Sequence, residues 1–493
     1  MPFKSLKKII NTVNQINKEI DGYKKISKVP SLPSVAYLNW SVHCLVNGNV
    51  KAATQKLKSC NEMGIKTPEV YINLGTLKAQ EGKFEEAREL YVKAIKIDKK
   101  CAKAYCMLAN VLTDLGEWEK SEEEFKIAHD LEPQNPDIML NWGISLSKQK
   151  KYAKAQEKFN DSLKFHVINV NSIYFLGLID LELKNFDDAE KRFLQVLNIM
   201  PQHIDALYYI AYVYMQQQNF EKALVNAKAA FELAPPRREL YMLLGEIYRN
   251  LDSEENSIKF YELGQEANKN NFFFYISWGL TLEKFNHFEQ AKEKFTLSIE
   301  IDDKNELGYC CLANTCKNLQ EDDLALENIF KALKINDKID SAYFMLGEIY
   351  LKKQLYDDAI SNLKKALEIS SKNVLTYECL AKCYLSKGEY ENAQTAYNKA
   401  FEYGSHDLNT YLDYANLMID KKQYQKGLNK LNVLTEKNPP DEQVLNLKFY
   451  INFLLAKEEN SNYNKEKAIE IAEEILKLNL NFKYTEELKA LKK

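Results

Sequence analysis

The side chains able to do chemistry are spread thinly along this sequence. Its six histidines (His43, His129, His166, His203, His287 and His406) stand far apart, with no HExxH and no His-x-x-x-His pair to hold zinc from one helix face. Its nine cysteines form no CxxC. The densest thiols are Cys310, Cys311 and Cys316, followed by Cys379 and Cys383. Cys379 and Cys383 are four residues apart, which puts both on one side of a helix, where two thiolates could share a soft metal. No histidine or second close pair completes a four-ligand set, so these residues read as small core side chains. No Gly-rich phosphate loop, GxSxG elbow or dinucleotide fingerprint is present. The acidic residues fall on polar helix faces, as solvated charge and not as an acid/base pair. A chain without catalytic chemistry, metal or cofactor is the expectation.

What must be explained, then, is the scaffold. At 493 residues the chain is too long for one core. Only 16 Gly and 11 Pro leave little room for the turns of an all-β fold, so helices are expected. The net charge of −3 argues against a nucleic-acid partner. Residues 1–58 nevertheless hold ten lysines against Glu19 and Asp21, a surplus of eight that leaves −11 on the remainder. No apolar run reaches the ~18 residues of a membrane span, and the N-terminus lacks the apolar core of a secretory signal. An odd cysteine count without a disulfide-like framework fits a reducing, cytoplasmic compartment.

Residues 342–373, AYFMLGEIYLKKQLYDDAISNLKKALEISSKN, give the organising unit. An apolar stripe at helical spacing, a short polar break and a second stripe predict two helices of about a dozen residues. Anchored on Gly347, the same pattern recurs at Ser41, Gly75, Ala109, Gly143, Gly177, Ala211, Gly245, Gly279, Ala313, Ala381 and Ala415, always 34 residues apart. Twelve residues after each anchor stands another small residue: Ala53, Ala87, Ser121, Ala155, Ala189, Ala223, Ser257, Ala291, Ala325, Ala359, Ala393 and Gly427. Small residues at both places let two helix backbones approach closely. Tyrosine precedes the anchor by four in nine repeats, large enough to fill the wedge between successive hairpins.

With stripes such as Tyr71-x-x-Leu74-Gly75 and Tyr343-x-x-Leu346-Gly347-x-x-Tyr350, second-helix sets such as Ala87/Tyr91/Ala94 and Ser121/Phe125/Ala128, and closing prolines at Pro133, Pro201, Pro235 and Pro439, the sequence closely resembles the tetratricopeptide repeat (TPR) family over residues 34–441. The resemblance implies an all-α fold, a right-handed α-solenoid of twelve tandem hairpins. Residues 1–33 are expected to form an amphipathic capping helix and residues 442–493 an irregular helical pair and cap. Glu254 and Asp322 replace the aromatic residue that opens most second helices, which reads first as drift that the surrounding packing absorbs and otherwise as a place where missing packing loosens the stack.

The family's ligands usually meet first-helix positions 2, 5, 6, 9, 12 and 13, counting the anchor as 8. The lysine at position 5 that clamps chaperone C-termini in some members is absent from every repeat, and the position-6 asparagine ladder of others survives only at Asn39, Asn73 and Asn141. In their place the middle repeats set Tyr174, Phe175, Leu178, Tyr208, Tyr209, Tyr212, Met242, Leu243, Leu280, Phe344 and Met345. The expectation is an apolar, aromatic inner wall between residues 171 and 352 that captures a peptide or amphipathic helix of a protein partner. Alternatively, the same side chains tighten the stack itself. The N-terminal stripe Phe3, Leu6, Ile9, Ile10, Val13, Ile16 and Ile20 reads first as the cap, and otherwise as a segment for an anionic membrane surface or for the inner wall. The functional reading is a scaffold or adaptor in complex assembly. Its alternatives are a regulatory or targeting subunit that self-associates through its repeats, and a membrane-surface assembly factor.

Overall fold

Asparagine recurs eight residues before the anchor, and in the structure this is where each hairpin starts. The structure is a computed structural model that describes residue 55 and residues 67–492, less 167, 234–236, 438–440, 460 and 479. The expected N-terminal cap and the repeat anchored on Ser41 lie outside the described residues. Two units are distinguished, one ending at Leu243 and the other beginning at Leu244.

The first unit holds α1 (Pro68–Gln80), α2 (Phe84–Ile97), α3 (Ala102–Asp114), α4 (Trp118–Leu131) and α5 (Pro136–Lys148). It continues through α6 (Tyr152–Phe165), α7 (Val170–Glu182), α8 (Phe186–Ile199), α9 (Ile204–Gln216) and α10 (Phe220–Leu233). Helix α11 (Arg238–Asn250) contains the boundary. The second unit has α12 (Glu254–Gly264), α13 (Phe272–Lys284), α14 (Phe288–Ile301), α15 (Glu306–Asn318) and α16 (Asp322–Ile335). After them come α17 (Asp340–Lys352), α18 (Tyr356–Ile369), α19 (Val374–Ser386), α20 (Tyr390–Glu402), α21 (Leu408–Asp420) and α22 (Tyr424–Lys437). An irregular pair, α23 (Glu442–Glu459) and α24 (Asn462–Lys477), precedes a short α25 (Thr485–Lys492) that the sequence pattern did not announce.

Each period is thus an antiparallel hairpin within an all-α array of tandem pairs. The two helices of a pair play different parts. First helices bury residues over a broad face: α13 buries Phe272, Phe274, Tyr275, Ile276, Trp278 and Leu282. Second helices bury one narrow stripe, in α14 Ala291, Phe295 and Ser298, and leave the rest polar, the pattern of a helix covered on one face only. The residue twelve past the anchor is fully buried where it is alanine, as at Ala155 and Ala291. Where it is serine its hydroxyl finds a partner in the anchor's carbonyl: Ser121 Oγ donates to Ala109 O at 2.8 Å and Ser257 Oγ to Gly245 O at 2.6 Å. The buried hydroxyl is therefore not left unpaired.

Starts and turns are built by side chains chosen for them. Asn135, Asn169, Asn271, Asn305 and Asn373 each accept a backbone N–H in the first turn of a first helix, and so does Asp407. His203 does the same for α9, Nδ1 accepting from Ala206 N at 3.2 Å. The turn between the two helices of a pair needs one residue in the left-handed region. Gly82, Gly116 and Gly388 supply it at φ 74°, 78° and 78°. Elsewhere Lys150, Lys184, Gln218, Asp252, Asn286, Gln320, Gln354 and Lys422 take it at φ 53–63°, a conformation that costs an L-residue about 1–2 kcal/mol.

Glu254 and Asp322, which stand where a ring is usual, tie neighbouring hairpins. Glu254 Oε1 lies 2.6 Å from His287 Nε2 in the next hairpin, and Asp322 Oδ2 lies 2.8 Å from Lys352 Nζ. Similar ties run from second helix to following hairpin at Asp323–Lys353, Asp357–Lys387 and Glu391–Lys421, each 2.7 Å. A charge opening a second helix thus finds its partner one repeat on.

Candidate partner-binding site

The eleven side chains proposed from sequence do not behave alike. Leu243 and Met345 are only 2% and 6% exposed and face the core, so they offer a partner nothing. Phe175 and Tyr209 are half-buried because each stacks on the second-helix ring of the preceding hairpin. Phe175 lies on Phe159 (centroids 5.6 Å, 8° between planes) and Tyr209 on Phe193 (5.8 Å, 15°). Trp142 on Phe125 and Trp278 on Tyr261 repeat the arrangement. Position 6 or 7 of the first helix is therefore the intercalating place, and one face of these rings is committed to inter-repeat packing.

Tyr174, Tyr208 and Tyr209 form one aromatic cluster in the first unit. Tyr174 meets Tyr209 edge-on at 6.1 Å, and Tyr208 meets Tyr209 at 5.0 Å. The Arg237 guanidinium lies 5.9 Å from the Tyr208 ring and is ion-paired with Asp205. Burial pushes the Tyr174 and Tyr209 hydroxyls above the usual phenol range, so both are neutral donors near neutral pH. Beside the cluster a cleft of about 380 Å3 is lined by Leu181, Glu182, Lys184, Phe186, Tyr208, Tyr209, Tyr212 and Gln216. Tyr212, one helical turn beyond Tyr208, is half-buried at this cleft. Leu178 and Met242 are half-buried in the same unit.

In the second unit Leu280 is 39% exposed and Phe344 is half-buried. Phe344 helps line a cleft of about 370 Å3 together with Leu351, Leu375, Cys379 and the charged Glu348, Lys352, Glu378 and Lys382. Sequence reasoning missed three exposed apolar residues: Phe273 (61%), Leu307 (41%) and Leu375 (61%). All occupy position 2 of a first helix. The signal was available, because the other described repeats carry Glu69, Lys103, Asp137, Asn171, Asp205, Glu239, Ser341 and Asn409 at that place.

Four of the described cysteines are held as thiols by burial. Burial pushes Cys106 and Cys311 up to about 12 and Cys310 and Cys316 to about 11, which removes the thiolate needed for metal or nucleophilic chemistry. The Cys379 and Cys383 thiols are hydrogen-bonded to each other along α19, which raises the first and lowers the second. Among the described residues no group of three or more His, Cys, Asp or Glu could hold a metal ion. Among them, too, no helix is long and apolar enough to cross a membrane.

Residues 68–101, 180–247, 239–271, 340–373 and 384–448 each match a family model described as tetratricopeptide repeat, and 68–101, 239–271 and 340–373 each coincide with one of the hairpins above. The chain is a tetratricopeptide repeat protein. Yeast Tom70 is a similar solved structure over 86% of this TPR chain and 96% of that one, at 14% identity and a TM-score of 0.43. The Cut9–Hcn1 hetero-tetramer of the APC/C is similar over 84% and 95%, at 14% identity and a TM-score of 0.44. YrrB, described as a TPR protein with an unusual peptide-binding site, covers 38% of this chain and matches over 96% of its own, at 16% identity and a TM-score of 0.32. A comparison with curated proteins gives no match.

Proposed function

We propose that this TPR protein is a non-enzymatic scaffold that holds segments of partner proteins on the exposed faces of its first helices, as an adaptor in complex assembly. The observation that carries the reading is the cleft at Tyr208, Tyr209 and Tyr212. It sets three aromatic rings beside Leu181 and Phe186, with Glu182 and Lys184 at its rim. Tyrosine offers large contact area with little side-chain entropy to lose, and apolar clefts with a few polar groups are where peptide anchors lodge. The occupant is a peptide or an amphipathic helix, whose apolar side chains at i and i+3 or i+4 match a row of rings one helical turn apart.

Site-specific photocrosslinking tests this. A photoreactive phenylalanine replaces Tyr212 in one variant and Val225, 68% exposed on the second helix α10, in another. Protein adducts are expected from position 212 and not from position 225. Equal yields from both, or none from 212, would overturn the assignment.

A further inference from the structure

In the last hairpin a stretch of the chain's own backbone is held against a helix. After α24 the chain runs without helix from Leu480 to Tyr484 and crosses α23. Asn446, only 3% exposed on α23, grips this stretch through both ends of its carboxamide: Nδ2 donates to Asn481 O at 2.8 Å, and Lys483 N donates to Oδ1 at 2.9 Å. Asn481 N also donates to the Glu442 carboxylate at 3.2 Å. Such contacts read main chain and ignore sequence.

Specificity comes from the alternate residues. Phe482 and Tyr484 turn inward while Asn481 and Lys483 stay exposed, the two-residue alternation of an extended strand. Phe482 meets Phe449 edge-on at 4.9 Å, and Tyr484 stacks on Tyr450 at 4.8 Å with 12° between planes. Beyond them α25 is a weak anchor, with Leu491 its one buried residue. Backbone capture plus pockets for every second side chain is how grooves bind extended peptides.

The geometry points to the α23–α24 hairpin as a groove for an extended partner segment of aromatic-x-aromatic pattern, with this chain's own Asn481–Tyr484 as a tethered competitor. A tethered segment acts at an effective concentration in the millimolar range, so a partner enters only as it releases. The site shares no residue with the tyrosine cleft and does not depend on it.

The test uses the full chain with Phe482→Ala and Tyr484→Ala together, which empties the pockets, and a fluorescent peptide of residues 478–491. The peptide is expected to bind this double variant at least tenfold more tightly than the unaltered chain. Adding Asn446→Ala, or replacing both aromatics of the peptide, is expected to cost tenfold or more. Equal affinity for the double variant and the unaltered chain overturns the proposal.

Hydrogen exchange on the unaltered chain keeps the proposal testable if the double variant loses helix. Amides 481–492 are expected to exchange at least a hundredfold faster than the core of α23, and equal protection overturns release. A dimer of the unaltered chain that the double variant abolishes would assign the groove to a second copy, and overturns the partner reading.

Discussion

The Phe295 ring lies against Gly279 so closely that a Cβ added to the glycine would come within 2.4 Å of the ring's Cε1. The same relation holds between Gly245 and Tyr261, at 2.5 Å. Gly279→Ala should therefore cost about 1–3 kcal/mol by overpacking, and Gly279→Leu more. Alanine stands at this place in other hairpins, Ala109 and Ala381 among them, so the penalty belongs to the local ring placement and not to the fold. Because repeats unfold with their neighbours in partly independent steps, hydrogen exchange at α13 and α14 is the measurement. Protection there should fall while α1–α4 keep theirs.

Tyr209 and Tyr212 separate packing from binding. Tyr209 supports Phe193 and Tyr174, so Tyr209→Ser should lower stability by about 2–4 kcal/mol as well as weaken capture. Among the described residues no ring contact holds Tyr212, so Tyr212→Ser should leave the urea midpoint within about 0.5 kcal/mol of the parent yet reduce partner capture several-fold. Loss of stability without loss of capture at Tyr212 would reverse the assignment.

Glu283 gives a pH signature. Burial raises its carboxyl above the ordinary range, partly offset by hydrogen bonds from Thr315 Oγ1 (2.7 Å) and Asn314 Nδ2 (3.2 Å) and by Lys317. The folded chain thus holds this proton more firmly than the unfolded one, so its ionisation destabilises as pH rises through the carboxylate range and beyond. Glu283→Gln keeps an acceptor without the charge. Its melting temperature should exceed the parent's by about 1–3 °C at pH 7.5, with the gap closing by about pH 4. A gap independent of pH would mean packing, not charge, is responsible.

The left-handed turns offer a gain. Gln320 has φ 63° and donates its N–H to Lys317 O at 3.0 Å. Gln320→Gly should raise stability by about 0.5–1 kcal/mol by relieving the Cβ clash, net of glycine's entropy. Gln320→Val should lower it by at least about 1 kcal/mol, since a branched side chain tolerates that region poorly. Paired urea melts of the two variants check both signs.

Much of this was legible because a 34-residue period repeats its own evidence. Any one hairpin's glycine, alanine or tyrosine is ambiguous, but twelve in register are not. Glu254 and Asp322 read from sequence as drift or as lost packing, because the partner each charge finds in the next hairpin is identifiable only in three dimensions. Position 6 has a second duty that the sequence did not show. Phe175 and Tyr209 looked like ligand positions, and the structure lays them on Phe159 and Phe193, because the gap between neighbouring hairpins has to be filled by something flat.

By itself, the sequence determined the hairpin, its length and the order of the repeats, since local periodicity and close-packed small residues act within a single period. Only tertiary structure decided which apolar side chains remain at the surface. Leu243 is enclosed while Phe273 is open, although both are apolar residues of first helices, because burial depends on what packs against each position. The groove filled by Phe482 and Tyr484 belongs to the same class: segments some thirty residues apart meet there, and no single stretch of sequence contains both sides of the contact.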